Sequence, residues 1–211
     1  MREVKRRQRR KDARPQEILQ AAIELFAEKG FAGTQIAEIA QRAGVAKGTV
    51  YLYYETKGKL FEGIVRSNIT PVMDRIKEML EGHSLGAAAL LRAVFTVIYL
   101  EFVGSPARRA VIRVLIAEGR QFPDLIETYH REVLQFAERL LRTVMELGRK
   151  SGEFRECPAL HEPRVVIGPA ILALVWRLTF DPVDPLDTGP FLEAHLDLVL
   201  HGLLKRPAVR T

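Results

Sequence analysis

The stretch from Gln35 to Leu60, QIAEIAQRAGVAKGTVYLYYETKGKL, predicts three helical segments separated by short turns. Apolar residues at helical spacing between Ile36 and Ala43 indicate a short helix with one face in a core. Gly44 ends this helix, and Gly30 ends the helix before it, because glycine adopts the left-handed conformation at the lowest cost. A second helix, at about residues 46–53, begins almost at once. Two helices joined by such a turn are typical of a helix-turn-helix, whose second helix enters the major groove of DNA.

Positive charge is concentrated at the same end of the chain. The 211 residues carry a formal net charge of +6. Residues 1–59 contain 13 Lys or Arg and 7 Asp or Glu, whereas residues 60–211 contain 19 of each kind. Eight of the basic residues fall within residues 1–14, for which we expect a disordered arm. Charge alone also describes a solvating tail, but next to a helix-turn-helix it indicates an end that binds a polyanion.

The order of residue types over residues 15–65 resembles the N-terminal domain of TetR-type transcriptional regulators. The resemblance is carried by residue types at fixed spacing, namely Phe26-Ala27-Glu28-Lys29-Gly30-Phe31, Thr34, Ile36, Ile39-Ala40, Ala43-Gly44-Val45, Lys47-Gly48-Thr49-Val50-Tyr51, Tyr54, Lys57 and Leu60. It implies a homodimer on double-stranded DNA, regulated by a small-molecule effector, with no cofactor. Gln35 departs from the pattern, since the family often has Ser or Thr there. We therefore expect Thr34 to cap the helix through its hydroxyl.

The candidate DNA contacts follow from the motif and from this resemblance. They are Thr34, Lys47, Gly48, Thr49, Tyr51, Tyr53 and Lys57. The lysines can neutralise phosphates, so that binding weakens as the salt concentration rises. Thr49 can present its methyl and hydroxyl groups to base edges, and the helix start near Thr34 offers N–H groups to a phosphate. Val50 and Tyr54 are expected in the core, and Tyr51 is either structural or a phosphate contact.

Beyond residue 60 the apolar pattern remains helical. Including the first three helices, it predicts an all-α fold of about nine helices, with later ones at 57–81, 84–103, 106–119, 122–150, 163–180 and 190–204. We find no alternating strand pattern and no internal repeat. The predicted organisation is a basic arm, a helix-turn-helix domain and a larger helical domain for effector binding and dimerisation, at residues 1–14, 15–60 and 61–211.

The last two predicted helices are apolar on more than one side. One face of each can therefore pack against a second copy of the chain, and four such helices form a bundle. The resemblance implies the same pairing. The predicted interface residues are Ile167, Ile171, Leu174, Leu196, Val199 and Leu203. The alternative is that both helices are simply buried within one chain.

An effector pocket is predicted from large or polar side chains in otherwise apolar helices. The candidates are Phe95, Tyr99, Phe102, Arg113, His130, Trp176 and Phe180. Such a pocket is apolar with few polar anchors, but the same spacing describes an ordinary aromatic core. Arg113 either pairs with Glu118 or Glu101 or receives an anionic ligand.

Other classes of protein find little support in the sequence. The five histidines lack metal-ligand spacing, and there is no glycine-rich phosphate loop or nucleophile elbow, so we expect neither an enzyme nor a metal site. Cys157 is the single cysteine, which excludes an internal disulfide and agrees with a reducing cytoplasm. The apolar run 85–103 contains Arg92 and Glu101 and is read as a buried helix. The favoured hypothesis is a ligand-released repressor that binds a palindromic operator as a homodimer; the alternative is a ligand-insensitive architectural DNA binder.

Overall fold

The computed structural model describes residues 2–81 and 85–205, with side chains from Arg14 onwards, and over these residues it confirms the all-α class. The helices are α1 Arg2–Gly33, α2 Ile36–Arg42, α3 Lys47–Tyr53, α4 Lys57–Glu81, α5 Ala87–Ile98, α6 Pro106–Glu118, α7 Pro123–Tyr129, α8 Gln135–Ser151, α9 Pro163–Thr179 and α10 Thr188–Leu203. A π-helical segment, Tyr99–Val103, follows α5, and a second, His130–Leu134, joins α7 to α8. The single helix predicted at 122–150 is therefore divided by this second segment. The predicted disordered arm, residues 1–14, falls on the beginning of α1, whose side chains before Arg14 lie outside the described part of the chain.

The chain divides into two compact units, and the first contains the helix-turn-helix. It comprises Met1–Pro71 and Pro106–Glu132, so that α6 and α7 belong to it. Within this unit α6 packs along α1, and α2 packs against both α1 and α3. The rings of Phe31 and Phe122 lie 5.0 Å apart between centroids. The boundary predicted after residue 60 therefore differs from the boundary of compact packing, because later helices share the apolar core of the first ones.

Glycine interrupts the backbone of the first unit at two points predicted from the sequence. Gly30 has φ +77° and breaks α1 three residues before its end. Gly44 has φ +64° and follows α2. A Cβ atom added at Gly44 would meet nothing within 4 Å, so the left-handed conformation, and not a lack of space, favours glycine there.

The second unit comprises Val72–Ser105 and Val133–Thr211. Its helices α5, α8, α9 and α10 pack around a core that includes Leu91, Val94, Phe95, Leu141, Met145, Ala173 and Leu196. The Glu153 carboxylate accepts hydrogen bonds from the backbone N–H groups of Ala87 and Ala88, at 2.6 and 3.1 Å, and so caps α5. Among the described residues, no single helix is both long and apolar enough to cross a membrane; α5 and its π-helical extension meet that criterion only jointly with α6.

Candidate DNA-binding interface

The predicted recognition helix α3 is anchored in the core of the first unit. After α2, the N–H groups of Ala43 and Val45 donate to the carbonyls of Ile39 and Ala40, each at 2.9 Å, and so fix the turn. Ile39 and Val50 are fully buried and anchor α2 and α3 in the core. The prediction that Val50 is a core residue is confirmed. Because both helices are anchored in one core, the outward side chains of α3 have a defined direction.

The outward face of α3 combines one cation with aromatic and aliphatic groups. Lys47 is exposed, and its ammonium lies 5.9 Å from the centroid of the Tyr51 ring. The exposed fractions of Tyr51, Leu52 and Tyr53 are 44%, 79% and 36%. Thr49 is half-buried. Leu52 was not among the predicted contacts, although its place two positions after the buried Val50, on the far side of a short helix, could have indicated it.

A concavity of about 410 Å³ lies between the starts of α2, α3 and α4. Its lining brings together four of the predicted contacts, Thr34, Lys47, Tyr51 and Lys57, with Gln35, Ile36, Ala37, Glu55 and Thr56. Gly48, Thr49 and Tyr53 belong to α3 but not to this lining. The concavity therefore contains some of the predicted residues and not others. Of its charged and polar side chains, some form hydrogen bonds inside the fold and others face outwards.

Thr34 is a structural residue, which corrects its predicted roles as a helix cap and a DNA contact. It is 2% exposed, and its hydroxyl lies 2.6 Å from the Gly30 carbonyl oxygen and 3.2 Å from that of Leu25. The break of α1 at Gly30 leaves carbonyl groups near the helix end that the hydroxyl satisfies. The N-cap of α2 is Gln35, whose N–H donates to the Glu38 carboxylate at 3.0 Å. Gln35 therefore occupies the cap position at which the family often has Ser or Thr, and Glu38, three residues later, completes a capping box.

Lys57 is also engaged inside the fold. Its ammonium donates to the carbonyl oxygens of Phe31, Ala32 and Thr34, the last two at 3.2 and 3.1 Å. It lies 4.6 Å from the centroid of the Phe31 ring. Burial lowers the pKa of Lys57, and the nearby Glu118 carboxylate partly opposes this. The ammonium is thus directed at three backbone carbonyls in the DNA-free chain, and its role as a phosphate contact stays a prediction.

Other cations of the first unit are balanced by acids. Arg42 forms a two-bond pair with the Glu28 carboxylate, at 2.6 and 2.8 Å. Lys59 pairs with Glu62 at 2.9 Å. Lys29 pairs with Glu38. The side chains of residues 1–13, in the basic arm, lie outside the described part of the chain. Of the two predicted lysine contacts in the described part, Lys47 is the one whose ammonium lies on the outer face of α3.

The predicted pocket residues fall into both compact units. Phe95, Tyr99 and Phe102 are buried in the second unit. Arg113 and His130 are exposed residues of the first unit, which removes them from a buried pocket set. Both acids considered as partners for Arg113 have other partners: Glu101 accepts from Arg75 at 2.6 Å, and Glu118 accepts from backbone N–H groups.

Trp176 and Phe180, the other two pocket candidates, form a local pair at the end of α9. Their ring centroids are 4.9 Å apart, and Phe180 is 44% exposed. The Trp176 indole N–H donates to the Asp184 carbonyl oxygen at 2.9 Å. These contacts tie the end of α9 to the loop that follows it. The two rings therefore have a structural explanation that needs no ligand.

The Tyr99 hydroxyl is joined to His195, a buried residue that sequence reasoning had not selected. The two side chains meet at 3.0 Å between the hydroxyl oxygen and Nδ1, and Nε2 lies 2.8 Å from the Val166 carbonyl oxygen. The carbonyl can only accept, so Nε2 carries the proton and Nδ1 accepts from Tyr99. Burial lowers the pKa of His195 and raises that of Tyr99 to about 12. Both groups are thus neutral and hydrogen-bonded.

The predicted interface residues on α9 and α10 are mostly core residues of one chain. Leu174, Leu196, Val199 and Leu203 are all buried, which corrects their placement on a free surface. Ile167 is half-buried and Ile171 is 45% exposed. The helices nevertheless carry exposed apolar side chains on their other sides, namely Val165, Leu172 and Leu198. Four of the six predicted interface residues therefore lie on the core faces of these helices, and the interface role of Ile167 and Ile171 stays a prediction.

Comparisons with known proteins identify the motif independently. Residues 18–64 match the family described as "Bacterial regulatory proteins, tetR family". The chain is 43% identical over 67 residues to the HTH-type transcriptional regulator YvdT of Bacillus subtilis, covering 32% of this chain and 34% of that protein. It is 27% identical over 198 residues to the transcriptional repressor KstR2 of Rhodococcus jostii, covering 92% of each.

The fold is shared along most of the chain. The crystal structure of FadR from Bacillus subtilis in complex with stearoyl-CoA superposes with a TM-score of 0.73, at 23% identity, over 89% of this chain and 98% of that one. The relatives with sequence similarity are regulators of transcription and not enzymes. The helix-turn-helix at residues 18–64 therefore matches the DNA-binding domain of the bacterial tetR family of regulatory proteins, and the fold of most of the chain is similar to that of a solved transcriptional regulator.

Proposed function

We propose that the protein is a repressor that binds a palindromic operator as a homodimer in the cytoplasm and is released by a small apolar or amphipathic molecule. The observation that carries the DNA-binding part is the outward face of α3. Lys47 and the hydroxyls of Tyr51 and Tyr53 contact phosphates and so position the helix. Thr49 and Leu52 contact base edges, where methyl groups recognise thymine.

The first experiment is selection of random duplex DNA by the purified protein at ~0.15 M salt, followed by sequencing. We expect a palindrome whose half-site centres lie about 34–36 Å apart, one helical turn of DNA. A bound pool without an enriched motif contradicts the proposal and favours the architectural DNA binder. Tyr51→Phe is a matched variant, because it keeps the ring beside Lys47 and removes the hydroxyl.

Dimerisation is assigned to the exposed faces of α9 and α10. Val165, Leu172 and Leu198 are 65%, 53% and 68% exposed on these helices, and neighbouring exposed apolar groups of this kind mark interaction surfaces. A Cβ atom added at Gly168 or Gly202 would meet nothing within 4 Å, so a partner helix can approach closely at both positions. These observations support a four-helix bundle formed by α9 and α10 of two chains.

Light scattering after size-exclusion chromatography tests the dimer. We expect a dimer for the native chain and a monomer for the double variant Leu172→Glu/Leu198→Glu, because a carboxylate buried at the interface lacks a partner. Leu147→Glu is the control, since Leu147 is 43% exposed on α8, away from this face. A monomeric native chain, or a double variant that remains dimeric, contradicts the assignment.

An amphipathic effector is supported by the relatives and by the second unit. KstR2 is a repressor, and the FadR structure contains stearoyl-CoA, which joins an apolar chain to a polar group. In the second unit Phe95, Tyr99 and Phe102 are buried apolar side chains, and the Tyr99 hydroxyl is a polar group among them. We therefore choose stearoyl-CoA as the first compound to test.

Release from the operator makes a reciprocal prediction. If stearoyl-CoA weakens operator binding by some factor, operator must weaken stearoyl-CoA binding by the same factor. Calorimetric titration with and without operator measures both. Binding of stearoyl-CoA with the same affinity in both titrations contradicts ligand release by this compound. Tyr99→Phe removes the hydroxyl and its hydrogen bond to His195, so its stearoyl-CoA affinity is compared with its melting temperature, which reports the structural loss.

A further inference from the structure

The turn Gly30–Thr34, which connects α1 to α2, is held by two side chains from distant parts of the chain. The Glu118 carboxylate, at the end of α6, accepts hydrogen bonds from the backbone N–H groups of both Phe31 and Ala32. From the other side, Lys57 donates to carbonyl oxygens of the same turn. Every one of these contacts lies within the first unit. The Glu118 carboxylate therefore binds the N–H donors of the turn, and the Lys57 ammonium binds its carbonyl acceptors.

The conformation of Gly30 is matched to this carboxylate. Its φ of +77° turns the chain so that the following N–H groups face α6. A Cβ atom at Gly30 would lie 2.5 Å from Oε1 of Glu118, closer than real contacts allow. The backbone angle thus favours glycine, and a side chain at this position would displace the Glu118 carboxylate from the turn.

The turn leads directly to the surface assigned to DNA. Gln35, Ile36 and Ala37 follow it and line the same concavity as Lys47 and Tyr51. A change at the turn therefore alters where α2 begins relative to the outward face of α3. At its other end, α6 contacts α4, because Arg108 donates through Nε to the Asn68 carbonyl oxygen at 2.8 Å. Helix α6 thus bonds backbone groups of two elements of the DNA-binding unit.

We propose that Glu118 is a positioning residue for operator binding: by holding the N–H groups of Phe31 and Ala32 it fixes the start of α2, and through it the position of α6 controls the fit of the helix-turn-helix to the operator. The inference rests on the proposed function as a sequence-specific DNA binder.

Glu118→Gln tests the proposal with little change in shape. The amide oxygen can accept one of the two backbone hydrogen bonds, but the amide NH₂ faces the second N–H, donor against donor. We expect operator affinity to fall about tenfold, with a much smaller loss on random duplex. Glu127→Gln is the control, because it makes the same chemical change at an exposed position of α7. Unchanged operator affinity, or equal losses on operator and random duplex, overturns the proposal.

Glu118→Asp adds a rescue test. It keeps the carboxylate and both acceptor oxygens but shortens the side chain, so we expect affinity between those of the native chain and Glu118→Gln. If Glu118 only stabilised the fold, operator affinity would follow the melting temperature across the three proteins. An operator affinity that follows the melting temperature alone overturns the positioning role.

Amide hydrogen exchange on the DNA-free protein provides a readout that does not depend on an operator. We expect Glu118→Gln to speed exchange at Phe31 and Ala32 and also at amides of α2, while those of α8 remain unchanged. Faster exchange confined to Phe31 and Ala32 means that the carboxylate does not hold α2, and this overturns the proposal. If the native chain selects no DNA motif, the proposed function fails, and the exchange result still decides whether Glu118 fixes the start of α2.

Discussion

The turn Gly30–Thr34 and the recognition helix α3 use their polar groups in opposite ways, although both belong to the same motif. In the turn, the carbonyls bind Lys57, the N–H groups bind Glu118, and the Thr34 hydroxyl is directed inwards. In α3, Lys47 and Tyr51 extend to the outside. A helix-turn-helix therefore contains residues that build the support and residues that contact DNA. The same residue types occur in both groups, and only the direction of the side chain, into the fold or out of it, distinguishes them.

The two lysines give the largest test of this difference. Lys57→Ala removes an ammonium that serves three carbonyl oxygens, so we expect the free energy of unfolding to fall by about 2 kcal/mol. For a chain of this size that corresponds to a melting temperature lower by about 4–8 °C. Thermal unfolding followed by circular dichroism measures it. Lys47→Ala is the matched control and should melt close to the native chain; equal melting of the two variants would remove the distinction.

Thr34→Val tests the same comparison with a smaller change. Valine preserves the shape but leaves the Gly30 carbonyl without its hydroxyl donor, at a cost of about 1 kcal/mol in stability. Because Thr34 is buried, affinity for operator and for random duplex should be unchanged in the folded protein. Urea unfolding and DNA titration at a temperature well below melting measure the two effects. A variant of native stability with weaker binding to both duplexes would return Thr34 to the DNA contacts.

The sequence predicted the helices and both glycine breaks because these depend on local rules. Apolar spacing indicated the helix-turn-helix and the core position of Val50, and glycine indicated the ends at Gly30 and Gly44. What it could not predict were contacts between distant residues. The three carbonyl acceptors of Lys57 belong to a turn whose N–H groups bind Glu118, 87 residues after Phe31.

The interface residues failed for a related reason. Helix α9 is apolar around its whole circumference, so periodicity cannot tell the core face from the exposed face. Leu174 and Leu172 are similar in type and near in sequence, yet one is 6% and the other 53% exposed. Only the packing of α9 against its neighbours distinguishes them. A sequence pattern of apolar residues is therefore a better guide to helices than to the surface that each helix presents.

Lys47→Ala sharpens the comparison on the DNA side. A lysine that contacts one phosphate releases about one counterion, so the variant should bind operator and random duplex more weakly by the same factor. The slope of log affinity against log salt concentration should fall in magnitude by about one. Titrations of both duplexes between about 0.05 and 0.2 M salt measure it. A native slope in Lys47→Ala would place Lys47 away from the phosphates.

Leu52→Ala should affect only certain base pairs. Shortening an apolar side chain that packs against a thymine methyl costs about 1 kcal/mol, or about fivefold in affinity. We expect one enriched thymine position in each half-site to lose its preference in a repeated selection, with random-duplex affinity unchanged. Leu147→Ala, at an exposed leucine of α8 outside the proposed dimer face, is the control. The same selected motif for Leu52→Ala and the native chain would show that Leu52 does not contact a base.

The last prediction compares two histidines of α10, one buried and one exposed. Its effect is the smallest, because it concerns the pH dependence of stability and not stability at neutral pH. His195 is buried between Tyr99 and the Val166 carbonyl, and burial lowers its pKa below the ordinary 6.5. The unfolded chain therefore binds the proton more tightly, so His195 favours folding above pH 6.5 and loses this contribution as the pH falls below that value, until its folded pKa is passed. Urea unfolding at several pH values should show a weaker loss of stability on acidification for His195→Gln than for the native chain. His201→Gln is the matched control, because it makes the same change at an exposed position on the same helix. If both variants follow the native curve, burial of a neutral imidazole contributes nothing to the stability of the second unit, and the separation of inward and outward polar groups holds only around the DNA-binding helices.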